Sequence, residues 1–349
     1  MDTKYLEIDE NHIDMDKIRL AGQIIKDGGL VAFPTETVYG LGGDGLNAAS
    51  SNKIYSAKGR PSDNPLIIHI AKFDDLYKIA DEVPQSAIKL AGSYWPGPLT
   101  MIFKKKAIVP LETTGGLNTV AVRFPSHKVA QEFIKAAGGF VAAPSANLSG
   151  RPSPTTAGHV REDMDGRIDA IIDAGSCDIG LESTIIDFTQ GIPMMLRPGY
   201  VSEKMLRDVL GQVDKDPAVF GNTLTDAKPK APGMKYRHYA PKGNLTIVSG
   251  DREAVISYIK DRLSETKDRK KGVIVCHDSV DEYKAADFIG DIGERDDEAT
   301  IAARLFDLLR RCDDEGIEEI YSEEFDTPQL GLAIMNRLIK AAGHQIIKV

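Results

Sequence analysis

Short apolar runs alternate with helical stretches along nearly the whole chain, and no other feature constrains the fold as strongly. The runs at 30–33, 66–70, 99–103, 120–123, 140–143, 170–173 and 184–187 have the length and composition of strands. Stretches at 16–27, 51–57, 74–80, 86–93, 127–137 and 202–210 read as helices. In the first of them Ile18, Ala21, Ile24 and Ile25 recur at helical spacing, and Gly28-Gly29 stops it. Such alternation predicts α/β layering. Near residue 214 the texture becomes Pro-rich and aperiodic. Strands at 245–248, 272–276 and 317–321 then alternate with helices at 253–263, 300–311 and 331–342, which predicts a small parallel sheet with helices packed on it. At 349 residues the chain exceeds one ordinary core. A division into 1–213, a linker 214–243 and a second domain 244–349 is expected.

Composition narrows the function classes. A formal net charge of −9 opposes bulk binding to a nucleic-acid backbone, while leaving room for a local basic pocket. Cys177, Cys276 and Cys312 lie far apart and form no CxxC pair, so neither a disulfide framework nor a structural zinc site is expected. The first seven residues carry acids and no apolar core, unlike a signal peptide, and no run approaches the ~20 apolar residues of a membrane span. A cytoplasmic enzyme or binding protein with no metal held by its own side chains is the expectation.

Several strands run into loops of a common chemistry. After Phe33 come Pro34, Thr35, Thr37 and the glycines 40, 42 and 43, a set that suits either a polar ligand approached closely by main chain or a turn-rich strand connection. Lys58 and Arg60 share a short loop with Ser62 and Asn64, which makes a phosphate-binding edge or a solvated basic turn. His69 follows on an apolar strand, as a core histidine or a pocket group. Arg123 ends the strand that begins near Thr119, where it meets either an anionic ligand or a protein carboxylate. Trp95, the single tryptophan, sits in a Trp-Pro-Gly-Pro segment that reads as a rigid packed corner. Ala143, Ser145 and Asn147, then Arg151 and Ser153, repeat the strand-to-hydroxyl-and-cation theme, as do Ser183 and Arg197. Together Lys58, Arg60, Arg123, Arg151 and Arg197 concentrate positive charge in an acidic chain. No Ser-His-Asp arrangement or nucleophilic cysteine motif is present, so catalysis here acts by positioning and charge neutralisation. The linker adds Lys228, Lys230, Lys235, Arg237 and Lys242 with no acid between 228 and 242, a loop either disordered or functional.

These motifs, in this order, resemble the YrdC/Sua5 family of threonylcarbamoyl-adenylate synthases. The resemblance runs from about 14 to 211 and rests on Pro34-Thr-Glu-Thr-Val-Tyr-Gly-Leu41, Lys58-Gly-Arg-Pro61, Asn64-Pro-Leu66, Ser145-Ala-Asn147 and Arg197-Pro-Gly199. The linker and second α/β domain resemble the longer Sua5 form. The resemblance implies a YrdC-like twisted mixed sheet followed by a Rossmann-like domain. It also implies condensation of L-threonine, bicarbonate and ATP into threonylcarbamoyl-AMP and pyrophosphate, with Mg²⁺ accompanying ATP. The product would serve a separate complex that modifies adenosine 37 of tRNAs reading codons that begin with A, with a possible weak tRNA contact and no membrane. By the same resemblance, Lys58, Arg60, Ser145 and Asn147 are the catalytic set. Arg60, Asn64, Thr119, Ser145, Ser153, Arg197 and Tyr236 face the nucleotide, and Thr37, His69, Arg123, Ala143 and Ser183 face threonine. The segment 234–241 resembles the part of the linker that covers the active site. The rivals are an RNA-binding module of the same fold without turnover, a hydrogenase-maturation carbamoyltransferase, which would need zinc-binding cysteine pairs, and a non-catalytic sensor.

Overall fold

The computed structural model describes residues 2–217, 229, 231–232, 238–265, 268–325 and 327–349. They form two compact units, one of Met1–Ser149, Ser153–Asp178 and Glu182–Tyr236, the other of Gly150–Pro152, Ile179–Leu181 and Arg237–Val349.

The first unit is built on a mixed eleven-stranded sheet. In chain order its strands are β1 (Lys4–Glu7), β2 (Val31–Phe33), β3 (Gly40–Asp44), β4 (Ile67–His69), β5 (Leu99–Lys104), β6 (Thr119–Arg123), β7 (Val141–Ala143), β8 (Ala170–Asp173), β9 (Thr184–Asp187), β10 (Met194–Arg197) and β11 (Asp214–Lys215). In space they run β1-β8-β2-β3-β7-β4-β6-β5-β9-β10-β11. Alternate residues of each strand point to opposite faces. Val31, Phe33, Val141, Ala170 and Ile172 pack with Ile18, Ala21 and Ile25 of α1 (Met15–Lys26) and with Val129, Phe133 and Ile134 of α5 (Lys128–Ala136). Ala32, Leu41, Ala142 and Ile171 pack on the other face, against Ile54 and Tyr55 of α2 (Ala48–Lys58) and Val160 and Met164 of α6 (Ala157–Met164). That second face continues through Ile68, Val122, Met101 and Ile186. It is covered by α3 (Leu76–Ile79), α4 (Gln85–Tyr94) and α7 (Glu203–Leu210). Helices α1 and α5 cross closely, since a Cβ on Gly22 would lie 2.7 Å from that of Ala136. Asp14 caps α1 through the amides of Asp16 and Lys17.

One expectation is corrected here. The glycines after Thr37 are not a cradle of free amides, because they form β3, which pairs antiparallel with β2 and β7. A Cβ on Gly42 would sit 2.8 Å from Val141 Cγ1 and 3.1 Å from the Phe33 ring, so close packing within the sheet explains the missing side chains.

The second unit carries a wholly parallel sheet. Its strands are β12 (Asn244–Ser249), β13 (Lys271–Val275), β14 (Phe288–Asp291), β15 (Glu319–Glu323) and β16 (Ile346–Lys348), in the order β14-β13-β15-β12-β16. Helix α8 (Arg252–Ser264) packs through Val255, Ile259 and Leu263 on Val248, Val273, Val275 and Tyr283, the last from a 3-10 helix, His277–Tyr283. Helices α9 (Glu298–Asp314) and α10 (Gly331–Ala341) pack against each other. Among the described residues no helix is long and apolar enough to cross a membrane, and all three cysteines are free and buried.

Candidate active site

Strand register explains why the motif residues meet. On β4 and β6, Ile67 pairs with Ala121 and His69 with Arg123; on β5, Thr100 pairs with Arg123 and Ile102 with Ala121; on β9, Ile185 pairs with Thr100. Paired residues share a face, so Ile67, Ala121, Ile102 and Ile185 form an apolar floor, joined by Leu196. This is the face that α1 and α5 cover elsewhere in the sheet and leave uncovered here. Polar groups lie at both ends of the floor. Along β6, Thr119 and Arg123 are four residues apart, about 13 Å of strand.

At the carboxyl ends of β4 and β6 stand His69 and Arg123, both buried. Arg123 Nη1 donates to Thr37 Oγ1 at 2.8 Å, and Thr37 Oγ1 lies 2.9 Å from Thr35 Oγ1. Glu36 Oε1 is 2.8 Å from Arg123 Nη2, an ion pair without hydrogen-bond alignment. Nε and Nη2 of the guanidinium and both Glu36 oxygens therefore keep unused hydrogen-bonding capacity inside the protein. Burial, and secondly the Arg123 charge, push the His69 imidazolium down to about 3, so the ring is neutral at physiological pH. Its Nδ1 lies 3.1 Å from the Ile67 carbonyl and its ring meets Phe33 edge-on at 5.7 Å. Next to Thr100, Ser183 Oγ is 2.7 Å from Thr100 Oγ1, and Arg197 donates to Ser183 from Nε to the carbonyl at 3.0 Å and from Nη2 to Oγ at 3.2 Å. Ser153, fully buried, donates to Glu182 Oε1 at 2.6 Å.

The opposite end gathers the other motif residues. Lys58 is the last residue of α2, and its buried ammonium donates to the backbone carbonyls of Ser145, at 2.6 Å, and Asn147. Gly59 follows in the left-handed region (φ 61°), which turns the chain so that Arg60 reaches the carbonyls of Asn64 and Pro65 at 3.2–3.3 Å. Ser145 Oγ donates to Asn147 Oδ1 at 2.5 Å, and Asn64 Oδ1 is buried without a partner among the described residues. Two residues back along the register from Ile67 and Ala121 stand Pro65 and Thr119, so Thr119 belongs to this end. Ala143, paired with Ile67, lies between the two ends.

The structure thus assembles Thr37, His69, Arg123, Ser183 and Arg197 at one end and Lys58, Arg60, Asn64, Thr119, Ser145 and Asn147 at the other. Arg151 belongs to the second unit, where it lies 3.9 Å from Asp313. Tyr236, like Lys228, Lys230, Lys235 and Arg237, lies outside the described residues. Two linker residues that are described lie on the floor: Ala231 is fully buried against it, and the Pro232 carbonyl accepts from Arg197 Nη1 at 3.4 Å. Glu36, Thr100, Glu182 and Ala231 were not anticipated. Glu36 was the most accessible of these, as the acid inside the Pro-Thr-Glu-Thr motif. Among the described residues no group of three or more His, Cys, Asp or Glu could hold a metal ion.

The Sua5_yciO_yrdC family model, described as telomere recombination, matches residues 23–199, and the model of the threonylcarbamoyl-AMP synthase C-terminal domain matches 201–343. The chain belongs to the Sua5/YrdC family. Among its Sua5 relatives, the threonylcarbamoyl-AMP synthase of Pyrococcus abyssi is 47% identical, over 95% of this chain and 96% of that one. The synthase of Bacillus subtilis is 43% identical, over 97% of each. The crystal structure of P. abyssi Sua5 complexed with L-threonine superposes with a TM-score of 0.93 at 46% identity, covering 99% of this chain and 100% of that one. The Sua5 architecture of a mixed-sheet unit and a parallel-sheet unit therefore holds for this chain.

Proposed function

We propose that this chain is a threonylcarbamoyl-AMP synthase, condensing L-threonine, bicarbonate and ATP to threonylcarbamoyl-AMP and pyrophosphate. The observation that carries the reading is the single sheet face with a buried guanidinium at one end and a Lys-Arg-Ser-Asn set at the other, in a chain that matches synthases end to end. In this reading the threonine carboxylate takes the unused donors of Arg123, and the neutral His69 ring and Thr37 border its polar groups. Ala143 and the apolar floor accept the methyl group. The threonine amine and bicarbonate give the threonine carbamate with loss of water; the carbamate carboxylate then attacks the α-phosphorus of ATP, and pyrophosphate leaves. Lys58 and Arg60 neutralise charge developing on the phosphoryl oxygens, with Asn64, Thr119 and Ser153 on the nucleotide, while Arg197, which stands at the Arg123 end, fixes Ser183 there. Ser145 and Asn147, held in place by the Lys58 ammonium, orient the reacting carboxylate.

The described groups at the phosphate end are mainly N–H donors and backbone carbonyls, and they do not form a magnesium cage. Mg²⁺ would be held by the ATP phosphates rather than by side chains of this chain, and would supply charge neutralisation there. The buried Ala231 and the contact of Pro232 with Arg197 support a linker that covers the face and excludes water from an acyl adenylate. The product would feed threonylcarbamoyl transfer to adenosine 37 of tRNAs reading codons that begin with A.

The test is pyrophosphate release from ATP and Mg²⁺, with and without L-threonine and bicarbonate, in the wild type, Lys58→Ala and Arg60→Ala. Release that needs both co-substrates and drops at least 100-fold in both variants is expected. Folded, ATP-binding protein that shows no threonine-dependent release would refute the assignment and favour an RNA-binding role.

A further inference from the structure

Three separate stretches of chain converge on one face of α9. Ala303, Phe306, Arg310 and Asp313 recur along that helix at three- and four-residue spacing, so they share a side. Gly180, in the left-handed region (φ 74°), lies so close that a Cβ there would sit 2.5 Å from Ala303 Cα and 2.7 Å from the Ala302 carbonyl oxygen. The Phe306 ring stacks on Tyr239 with centroids 5.1 Å apart. Arg310 Nη2 donates to the Pro152 carbonyl at 2.7 Å. Asp313 Oδ1 accepts from the Lys242 amide at 2.6 Å, and the Ala240 amide donates to the Gly150 carbonyl at 2.9 Å. Helix α9 thus gathers residues 150–152, 179–181 and the end of the linker, all within the second unit.

The residues that follow two of these stretches belong to the candidate site. Ser153 comes directly after Pro152, and Glu182 and Ser183 come directly after Leu181. The two stretches are tied together at that point, because Ser153 Oγ donates to Glu182 Oε1 at 2.6 Å. Ser183 Oγ in turn meets Thr100 and Arg197. Little slack lies between the helix and these groups. Pro152 and Pro154 flank Ser153 and fix their own φ angles. The Pro154 carbonyl accepts from the Tyr39 amide at 2.9 Å, and residues 152–155 and 180–184 are all buried. A shift of the Pro152 carbonyl is therefore passed on to the Ser153 hydroxyl.

Arg310 is fully buried. A guanidinium out of water stabilises a core less well than an apolar side chain of the same size, and its directional donors suit it to fixing one chain segment against another. We propose that Arg310 is a positioning residue of the synthase site: through the Pro152 carbonyl it sets Ser153 against the nucleotide. Holding 150–152 and 179–181 in place is then what α9 contributes to the reaction, without touching substrate itself. The role of Ser153 here rests on the synthase reading.

The test is calorimetric titration of the full chain with ATP and Mg²⁺, in the wild type, Arg310→Met, Arg310→Lys and Val255→Ala. Val255→Ala trims the core under α8, a cluster with no α9 residue in it, and serves as a destabilised control. The dissociation constant reports how well a folded site binds, whereas the stoichiometry reports how much of the protein is folded. Arg310→Met is expected to bind ATP at least about tenfold more weakly at close to one equivalent per chain. Arg310→Lys, which can still donate to the Pro152 carbonyl, should recover to within about threefold of the wild type, and Val255→Ala should keep the wild-type constant. A lowered stoichiometry with an unchanged constant in Arg310→Met would overturn the proposal and leave Arg310 a role in stability alone. If Arg310→Met does not fold, hydrogen exchange on the wild type decides: saturating ATP should slow the amides of 302–313 at least about threefold, since coupling between the two places is reciprocal, and unchanged exchange there overturns the proposal. Wild type that binds no ATP removes the synthase reading as well, whereas threonine-dependent pyrophosphate release beside an indifferent Arg310 removes this proposal only.

Discussion

Replacing Arg123 by lysine separates recognition of the threonine carboxylate from stability of the fold. Deleting the charge would leave Glu36 as an unpaired buried carboxylate, which costs ~3–5 kcal/mol and confuses binding with unfolding. Lysine keeps the positive charge beside Glu36 but replaces a planar fork with a point charge. In the wild type, Nη1 is committed to Thr37 while Nε and Nη2 have no hydrogen-bond partner among the described residues. A carboxylate bound across that free edge makes two charge-assisted hydrogen bonds, and lysine can replace one of them. Losing one charge-assisted bond is worth ~1.5–3 kcal/mol, or roughly 10- to 150-fold in affinity. Arg123→Lys should therefore raise KM for L-threonine by that factor in the pyrophosphate assay, while KM for ATP stays within about twofold. A rise confined to the ATP KM, or an unchanged threonine dependence in folded protein, would refute the placement of the carboxylate.

Two further outcomes follow from the same geometry. His69 is neutral when folded down to about pH 3 but titrates near 6.5 when unfolded, so between those values the unfolded chain binds the extra proton. Stability should thus fall with decreasing pH by up to about 1.4 kcal/mol per unit from this group, and His69→Asn should flatten urea-derived stability between pH 6 and 4; an unchanged slope would place the titration elsewhere. Gly42→Ala forces a methyl group to within 2.8 Å of Val141 Cγ1 and should cost ~1–3 kcal/mol, read as a lower urea midpoint at constant m value.

What could be read from the sequence depended on whether a residue's role was local or came from register. Strands such as β8 (Ala-Ile-Ile-Asp) and β9 (Thr-Ile-Ile-Asp) are centred on a β-branched apolar pair and announce themselves, as does α1 with its periodic isoleucines and Gly28 stop. The edge strands β1 and β16 are short and largely exposed, so pairing rather than composition makes them strands, and β14 is short and interrupted by Gly290. Strand β3 was hidden for the opposite reason: its glycines signal a loop, while the crowding by Phe33 and Val141 that selects them is visible only in three dimensions. Similarly, Lys58, Arg60, Ser145 and Asn147 stood out because cations and hydroxyls follow apolar runs. Thr100 and Ala231 did not, because their value comes from lying opposite Arg123 or on Ile67 and Ala121. Arg151 looked like its neighbours in sequence, and its pairing with Asp313, a residue 162 positions later, was not legible there.

The two-residue period of β6 divides its labour and gives the sharpest test of where the site lies. Thr119, Ala121 and Arg123 face the floor, while Val120 and Val122 pack into the helix-covered core with Met101 and Ile186. Val122 is fully buried, so Val122→Ala removes two methyl groups from a closed core and should cost ~2 kcal/mol, with kinetic constants nearly unchanged at a temperature where the variant is folded. Ala121→Val adds the same two groups one residue away, on the face where Ala231 of the linker rests. Ala121 is 6% exposed on that face rather than sealed in the helix-covered core, so the stability change should be under about 1 kcal/mol. The fall should instead come in kcat/KM for ATP and threonine, by at least about tenfold, because the proposed site places both substrates on that floor. Urea denaturation and steady-state kinetics on the two variants measure both effects. If Val122→Ala damages catalysis while Ala121→Val damages only stability, the substrates occupy the other face of the sheet and the proposed site is wrong.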